Sequence, residues 1–340
     1  MSTVHRAPYH PTFSVVMPTV GRPSLQQGVD ALAASRGPLP LEVILVDDRR
    51  RRDEPLRLRT PGRIADRTMI IPGTGAGPAA ARNVGWRASH GEWVAFLDDD
   101  VTVGPDWFNQ LAADLAGADD DVVGVQGRVA VPLPADRLPT DWERNVAGLA
   151  DARWITADIA YRQSALDEVG GFDERFRRAY REDADLALRL LDAGHRLVRG
   201  GRDSAHPVRP APWWISLRAQ AGNADDPLMR RLHGPDWRRR AAVPRGRRPA
   251  HLATTAALAG TVLSALTGRR RLATLLAAAW AAATVEFTLA RVRPGPGTPG
   301  EVAAMAATST LLPAVATAQW LRGLARAATV RRPAQSATSQ

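Results

Sequence analysis

The 340-residue chain is long enough for one large α/β domain with an appendage, and its 45% hydrophobic content excludes global disorder. It contains no cysteine, which excludes disulfides, zinc–thiolate sites and cysteine nucleophiles and fits a reducing compartment. The net charge of +10 comes entirely from arginine, because the sequence has no lysine. Such a surface attracts nucleotide phosphates or anionic lipids, whereas the scattered arginines match no nucleic-acid motif, so no nucleic-acid partner is expected.

Residues 1–12 lack the apolar core of a signal peptide and read as an N-terminal extension, which predicts a catalytic region facing the cytoplasm. Over 13–202, short apolar runs alternate with helical patterns. The runs at 13–17, 42–46, 67–71 and 93–97 predict buried strands, and 24–35 and 79–89 predict helices. This rhythm predicts an α/β fold, a mostly parallel sheet flanked by helices. Ligands of such sheets sit at the carboxyl ends of the strands. Further strands are predicted near 122–131 and 155–162. A helix follows over 182–193 with Gly194 as its C-terminal glycine, and 207–212 is proline-rich and extended.

Beyond residue 249 the composition turns to Ala, Leu, Thr and Val in three segments, 252–266, 272–290 and 302–321. At about 15–20 residues they sit at the lower edge of what spans a bilayer. Glu286 lies inside the second. A simple hairpin would carry Arg269, Arg270 and Arg271 to the outer side, against the positive-inside tendency, whereas in-plane helices on an anionic leaflet would accommodate them. The expected layout is a domain at 13–240, an Ala-rich membrane-associated helical region at 250–325 and a disordered tail at 326–340.

Phe96-Leu97-Asp98-Asp99-Asp100 is an apolar strand ending in three carboxylates. Their mutual repulsion calls for compensation, and a hard divalent cation bridging phosphate oxygens supplies it. Val43-Ile44-Leu45-Val46-Asp47-Asp48 repeats the pattern, and a carboxylate there can accept hydrogen bonds from a base or ribose. Glycines at 73, 75 and 77 precede a helix and would let backbone amides approach a diphosphate, with Arg82 one turn further on. The Gly-x-Gly-x-x-Ala match inside this stretch follows the third strand, not the first, so it is a weak dinucleotide signal. Tyr180-Arg181-Glu182-Asp183-Ala184-Asp185 opens a helix. The helix dipole alone favours acids there, and the chemical reading makes Asp183 a general base.

Together these pieces resemble family 2 glycosyltransferases of the GT-A fold. The matching residues are Val15-Val16-Met17-Pro18-Thr19, Val46-Asp47-Asp48, Ala81-Arg82-Asn83-Val84-Gly85, Phe96-Leu97-Asp98-Asp99-Asp100, and Gly170-Gly171-Phe172-Asp173-Glu174 followed by Glu182-Asp183-Ala184-Asp185-Leu186. They occur in the family's order over about 13–200. The resemblance implies a base pocket lined by Pro18, Thr19 and Asp48 with Asp47 beside them. It implies substrate contacts at Arg82 and Glu182, and an Asp-x-Asp pair, Asp98 and Asp100, that meets the ribose and a divalent cation, Mg2+ or Mn2+. His206 is the candidate third metal ligand. Asp183 would be the base of an inverting, single in-line displacement from a nucleotide-diphosphate sugar onto an acceptor hydroxyl. A lipid-linked or glycan acceptor at the cytoplasmic face of the cell membrane, in cell-envelope synthesis, follows as an expectation.

The chain departs from the family pattern in two places. Arg49, Arg50, Arg51 and Arg52 follow the Asp47-Asp48 pair where Gly-Ser is usual. No Gln-x-x-Arg-Trp motif follows Asp183, which argues against processive polymer synthesis. Trp213, Trp214 and Arg218 nearby either pack or contact the acceptor. Two rival functions remain: a sugar-phosphate nucleotidyltransferase, which would need a glycine-rich basic loop after the first strand, and a non-catalytic membrane scaffold.

Overall fold

The computed structural model describes residues 11–330. The chain gathers into two compact units, one comprising the chain up to Pro132 with Gly148–Pro207, the other Leu133–Ala147 with the chain from Val208 on.

In the first unit the elements run β1 (Phe13–Thr19), α1 (Ser24–Ala34), β2 (Val43–Asp47), α2 (Gly62–Ala65), β3 (Thr68–Pro72), α3 (Pro78–Arg87), β4 (Trp93–Leu97), β5 (Thr102–Val103), α4 (Trp107–Ala116) and β6 (Val122–Ala130). The chain then passes through α5 (Asp141–Ala147) of the second unit and returns as β7 (Asp158–Arg162), α6 (Gln163–Val169), α7 (Glu182–Asp192) and β8 (Arg196–Ala205). One eight-stranded sheet results, in the order β3-β2-β1-β4-β7-β6-β8-β5.

The parallel arrangement expected from the βαβ rhythm holds from β3 to β4. It gives way where β7 runs antiparallel to both β4 and β6, so the whole sheet is mixed. Alternation along the strands sends side chains to two faces. Val15, Met17, Val43, Leu45, Trp93 and Leu97 pack under α1 and α4, while Val16, Ile44, Val46, Val94 and Phe96 pack against α3 and α7. This is a three-layer α/β/α unit of the expected class.

One expected strand differs in character. The run at 67–71 forms β3, but it is an edge strand with Met69 and Ile70 exposed, not a buried one. Among the described residues β2 is its one strand partner, so its outer edge carries no paired strand. The strand expected at 155–162 begins at Asp158, because Asp158 leaves the apolar pattern to meet Arg202. That arginine is fully buried. It donates to Asp158 Oδ1 at 2.7 Å, Asp114 Oδ2 at 3.1 Å and the Val125 carbonyl at 2.6 Å, while Trp107 Nε1 donates to Asp158 Oδ2 at 2.9 Å. The cluster pins β6, β7, β8 and α4 together, and nothing local in the sequence announces it.

The second unit holds α5, α8 (Ile215–Ala219), a 3-10 turn at Gln220–Ala224, α9 (Asp226–His233), α10 (Trp237–Arg240), α11 (Arg248–Leu266), α12 (Arg270–Val292) and α13 (Pro299–Ala328). The three apolar segments are thus helical as expected, and longer: 19, 23 and 30 residues, each long and apolar enough to cross a membrane.

Candidate active site

Because β1 lies between β2 and β4 in parallel register, their carboxyl ends emerge side by side: Thr19 pairs with Asp47, and Asp98 follows directly on β4. The acid triplet splits at a turn beyond β4, closed by the Val101 N–H donating to the Asp98 carbonyl at 3.1 Å. Asp98 and Asp100 join His206, one ligand atom from each lying within 4.8 Å of the others. His206 follows β8, and its backbone N–H donates to the Ala130 carbonyl at 2.8 Å. Its Nε2 lies 3.3 Å from Asp100 Oδ1, and its buried Nδ1 has no hydrogen-bond partner. Two carboxylates and an imidazole suit a divalent cation such as Mg2+ or Mn2+, and the orphaned ring nitrogen fits a site completed by a bound group.

Asp99 turns the other way. It accepts from Thr19 Oγ1 at 2.6 Å and pairs with Arg22 Nη1 at 2.5 Å. Thr19, expected in the base pocket, is buried with its oxygen committed, accepting from the Gly21 N–H at 2.9 Å. Sequence reasoning assigned Asp99 no separate role. Pro18 sits one residue earlier in β1, partly exposed and in register with Val46.

Asp47 and Asp48 form a separate group. Asp47 is held by Arg49 through Nε at 2.8 Å and Nη2 at 2.7 Å, and this hydrogen bonding keeps its carboxyl below the usual range. Asp48 accepts from the Gly75 and Gly77 amides at 2.6 and 3.1 Å. Burial nevertheless pushes its carboxyl up. The glycine-loop amides that sequence reasoning offered to a diphosphate are therefore occupied by Asp48. A cavity of about 1070 Å³ opens beside this group, with Asp48, Gly75, Arg50, Arg51, Arg175 and Arg177 among its walls.

The third group is organised by α3. Gly77 at φ 114° and Pro78 at the first helical position start the helix. Gly85 lets it approach the sheet so closely that an added Cβ would strike Val16. That approach buries Arg82, whose Nη2 donates to Asp98 Oδ1 at 2.7 Å and Nη1 to Glu182 Oε1 at 2.9 Å. Burial alone would lower the Arg82 pKa, and the two carboxylates outweigh it and raise it. Arg82 thus ties the metal-ligand candidate Asp98 to the first turn of α7.

There Arg181 adopts φ 79°, a left-handed conformation costly for a residue with a side chain, and directs Glu182 and Asp183 into the site. Burial pushes Glu182 up and the Asp183 charge adds to it, while Arg82 draws it back. Asp183 keeps part of its surface open to solvent, yet it is enclosed enough that burial raises its carboxyl, against the pull of the Ala184 amide and Arg82. A carboxylate raised in this way is a stronger base than a solvated one.

Residues 14–184 match the family model Glycosyl transferase family 2. The pre-mycofactocin glycosyltransferase of Mycobacterium tuberculosis (strain ATCC 25618 / H37Rv) is 30% identical over 217 residues, covering 57% of this chain and 44% of its own length. The succinoglycan biosynthesis protein ExoO of Rhizobium meliloti (strain 1021) is 33% identical over 191 residues, covering 51% of this chain and 53% of its own. The chain spans about half the length of these two curated relatives. Among solved structures, mannosyltransferase PcManGT from Pyrobaculum calidifontis, in complex with GDP-Man and Mn2+, aligns with a TM-score of 0.52 at 19% identity, covering 95% of this chain and 90% of that one. That likeness concerns the fold alone. With more than half of its sequence matched in order and an α/β/α sheet that gathers the matched acids at its strand ends, the chain belongs to glycosyl transferase family 2.

Proposed function

We propose that the chain transfers a sugar from a nucleoside-diphosphate sugar to an acceptor hydroxyl with inversion at the anomeric carbon. The observation that carries this reading is the linkage Asp183–Glu182–Arg82–Asp98, which sets a partly buried base beside a cation-suited cluster. Asp98, Asp100 and His206 would hold a Mg2+ or Mn2+ ion, whose charge would offset that of the departing diphosphate. Asp183 takes the proton of the acceptor hydroxyl as its oxygen bonds to the anomeric carbon. The bond from that carbon to the diphosphate breaks on the opposite side, and the nucleoside diphosphate leaves. Arg82 holds Asp98 and Glu182 in place. Pro18, Thr19, Asp47 and Asp48 line the base side, with the arginines at 50 and 51 adding positive potential for an anionic donor.

The apolar helices α11, α12 and α13 support association with a membrane, with the catalytic unit on its cytoplasmic face and a lipid-linked or glycan acceptor. Relatives named for succinoglycan and O-antigen biosynthesis support a role in cell-envelope glycan synthesis. The test incubates full-length protein with a panel of nucleotide sugars, Mn2+ or Mg2+ and a membrane extract as acceptor source, and measures nucleotide release. Metal-dependent release lost in Asp100→Ala supports the reading. Nucleotide binding without release from any donor favours a scaffold instead.

A further inference from the structure

Of the three helices able to cross a bilayer, α13 is packed differently from the other two. One stripe of α13, including Met305, Leu312, Ala316, Gly323 and Ala327, is buried within its own unit. Its cover includes short helices of the soluble type in addition to α11 and α12. Leu217 of α8 packs on Leu312 and Ala316. Gly323 lies so close to the Ala224 backbone that no side chain fits between them. Arg231 of α9 donates from Nε to the Val330 carbonyl at 2.9 Å.

The pair α11 and α12 is inside out for a protein in water. The buried residues of α11 are Thr254 and Ser264, whereas Val262, Leu263 and Leu266 are 53, 64 and 80% exposed. In α12 only Phe287 and Arg291, near its C-terminal end, are buried, while Leu272, Leu275, Val285 and Leu289 face outward. The two helices meet through a small residue, Gly260 against Leu276. Polar and small residues at the contact with leucine outside is the arrangement lipid favours. An in-plane helix needs a charged or strongly polar face for water, and between base and tip the outward side of this hairpin offers only Thr267 and Thr274.

Charge marks both ends of the hairpin. At the base, Arg247 pairs with Glu286, and Arg291 Nη2 donates to Asp141 Oδ2 at 2.7 Å and Nη1 to Thr308 Oγ1 at 2.8 Å. Arg248 lies 5.4 Å from the Trp320 ring. The tip carries Arg269, Arg270 and Arg271. Between base and tip, residues 249–268 and 272–285 contain no Asp, Glu or Arg. At 1.5 Å per residue the first stretch measures about 30 Å, the hydrocarbon thickness of a bilayer, and the second about 21 Å, short of it by about two helical turns, so the tip arginines would snorkel to reach the far surface. Glu286, which argued against a span in the sequence, belongs to the base and is paired there.

We infer that α11 and α12 cross the bilayer as a hairpin whose tip emerges on the far surface, while α13 stays on the near side with Asp141 as an interfacial helix. The inference rests on the membrane association proposed above and specifies its topology. The helix that begins at Asp141 ends at Ala147, directly followed by Gly148 of the catalytic unit, so chain continuity keeps that unit on the near side. The arginine count agrees with a cytoplasmic near side. Six arginines between 238 and 248 and two more at 291 and 293 flank the base, against three at the tip.

The absence of native cysteine makes single-cysteine reporters direct. Full-length Thr267→Cys at the tip, Ala307→Cys on the exposed side of α13 and Asp120→Cys in the catalytic unit are expressed separately. Sealed vesicles of known orientation are then treated with a membrane-impermeant maleimide. The expected result is that Asp120→Cys and Ala307→Cys label from the same side, and Thr267→Cys labels from that side only after detergent opens the vesicles. Labelling of all three from one side, in protein that resists alkaline carbonate extraction, overturns the crossing while leaving membrane association intact. Ala307→Cys labelling from the side opposite to Asp120→Cys overturns the placement of α13. Release of the chain by carbonate overturns the membrane association itself.

Discussion

His206 and Asp100 face each other because the two-residue strand β5 pairs with the end of β8. Thr102 is in register with Ala205 and Val103 with Ser204, which sets His206 opposite Val101, and Asp100, one residue beyond, reaches it with Nε2 and Oδ1 3.3 Å apart. A strand too short to contribute much stability thus sets the third position of the candidate metal site.

His206→Ala should therefore raise the Mn2+ concentration needed for half-maximal activity by at least about tenfold, since even indirect supports of metal ligands cost that much. The measurement is a metal titration of nucleotide release. An unchanged titration curve would remove His206 from the site.

Arg82→Met should destabilise the first unit by about 3–5 kcal/mol, because it leaves the buried Glu182 carboxylate without its cation. Urea denaturation reads the change. Combining it with Glu182→Gln should restore part of the loss, as a buried charge left alone costs more than a neutral amide.

Gly85→Ala should cost about 1–3 kcal/mol by overpacking, since the added methyl meets Val16 and Val46 beneath α3. Thermal unfolding is the check. Gly170→Ala is the contrast: nothing crowds a Cβ there, and its cost should come only from φ 75°.

The pH dependence follows from Asp183. A general base works deprotonated, and burial raises its carboxyl above the ordinary Asp range. Activity should thus be lost on acidification at higher pH than an unperturbed Asp would allow, and recover as pH rises through the raised pKa. The acid limb of the pH profile of kcat/KM measures this. A limb in the ordinary Asp range would contradict the enclosed setting of Asp183.

The parts of the site that were legible in the sequence are those written locally. An apolar run followed at once by Asp declares a strand exit, and two such exits put Asp47 and Asp98 at strand ends, while Thr19 beside them came from the resemblance to the family. What escaped depends on partners distant in the chain. The assignment of Asp99 to Thr19 and Arg22, the capture of the Gly75 and Gly77 amides by Asp48, and the Arg202–Asp158–Asp114 cluster are fixed by tertiary register. The exposure of β3 likewise follows from its edge position, which a run of Thr, Met and Ile does not encode. The extra length of α12 and α13 was hidden because the apolar runs stop at charged residues such as Arg270, Arg271, Arg322 and Arg326, which the helices include.

The most direct test compares Asp183→Asn with the unaltered chain in two assays, donor binding and donor turnover, in the presence of Mn2+. The account predicts donor affinity within about twofold and turnover lower by about 10²–10⁴, the usual worth of a positioned base. Turnover retained by Asp183→Asn, with donor still bound, would contradict the assignment of Asp183 and the mechanism built on it.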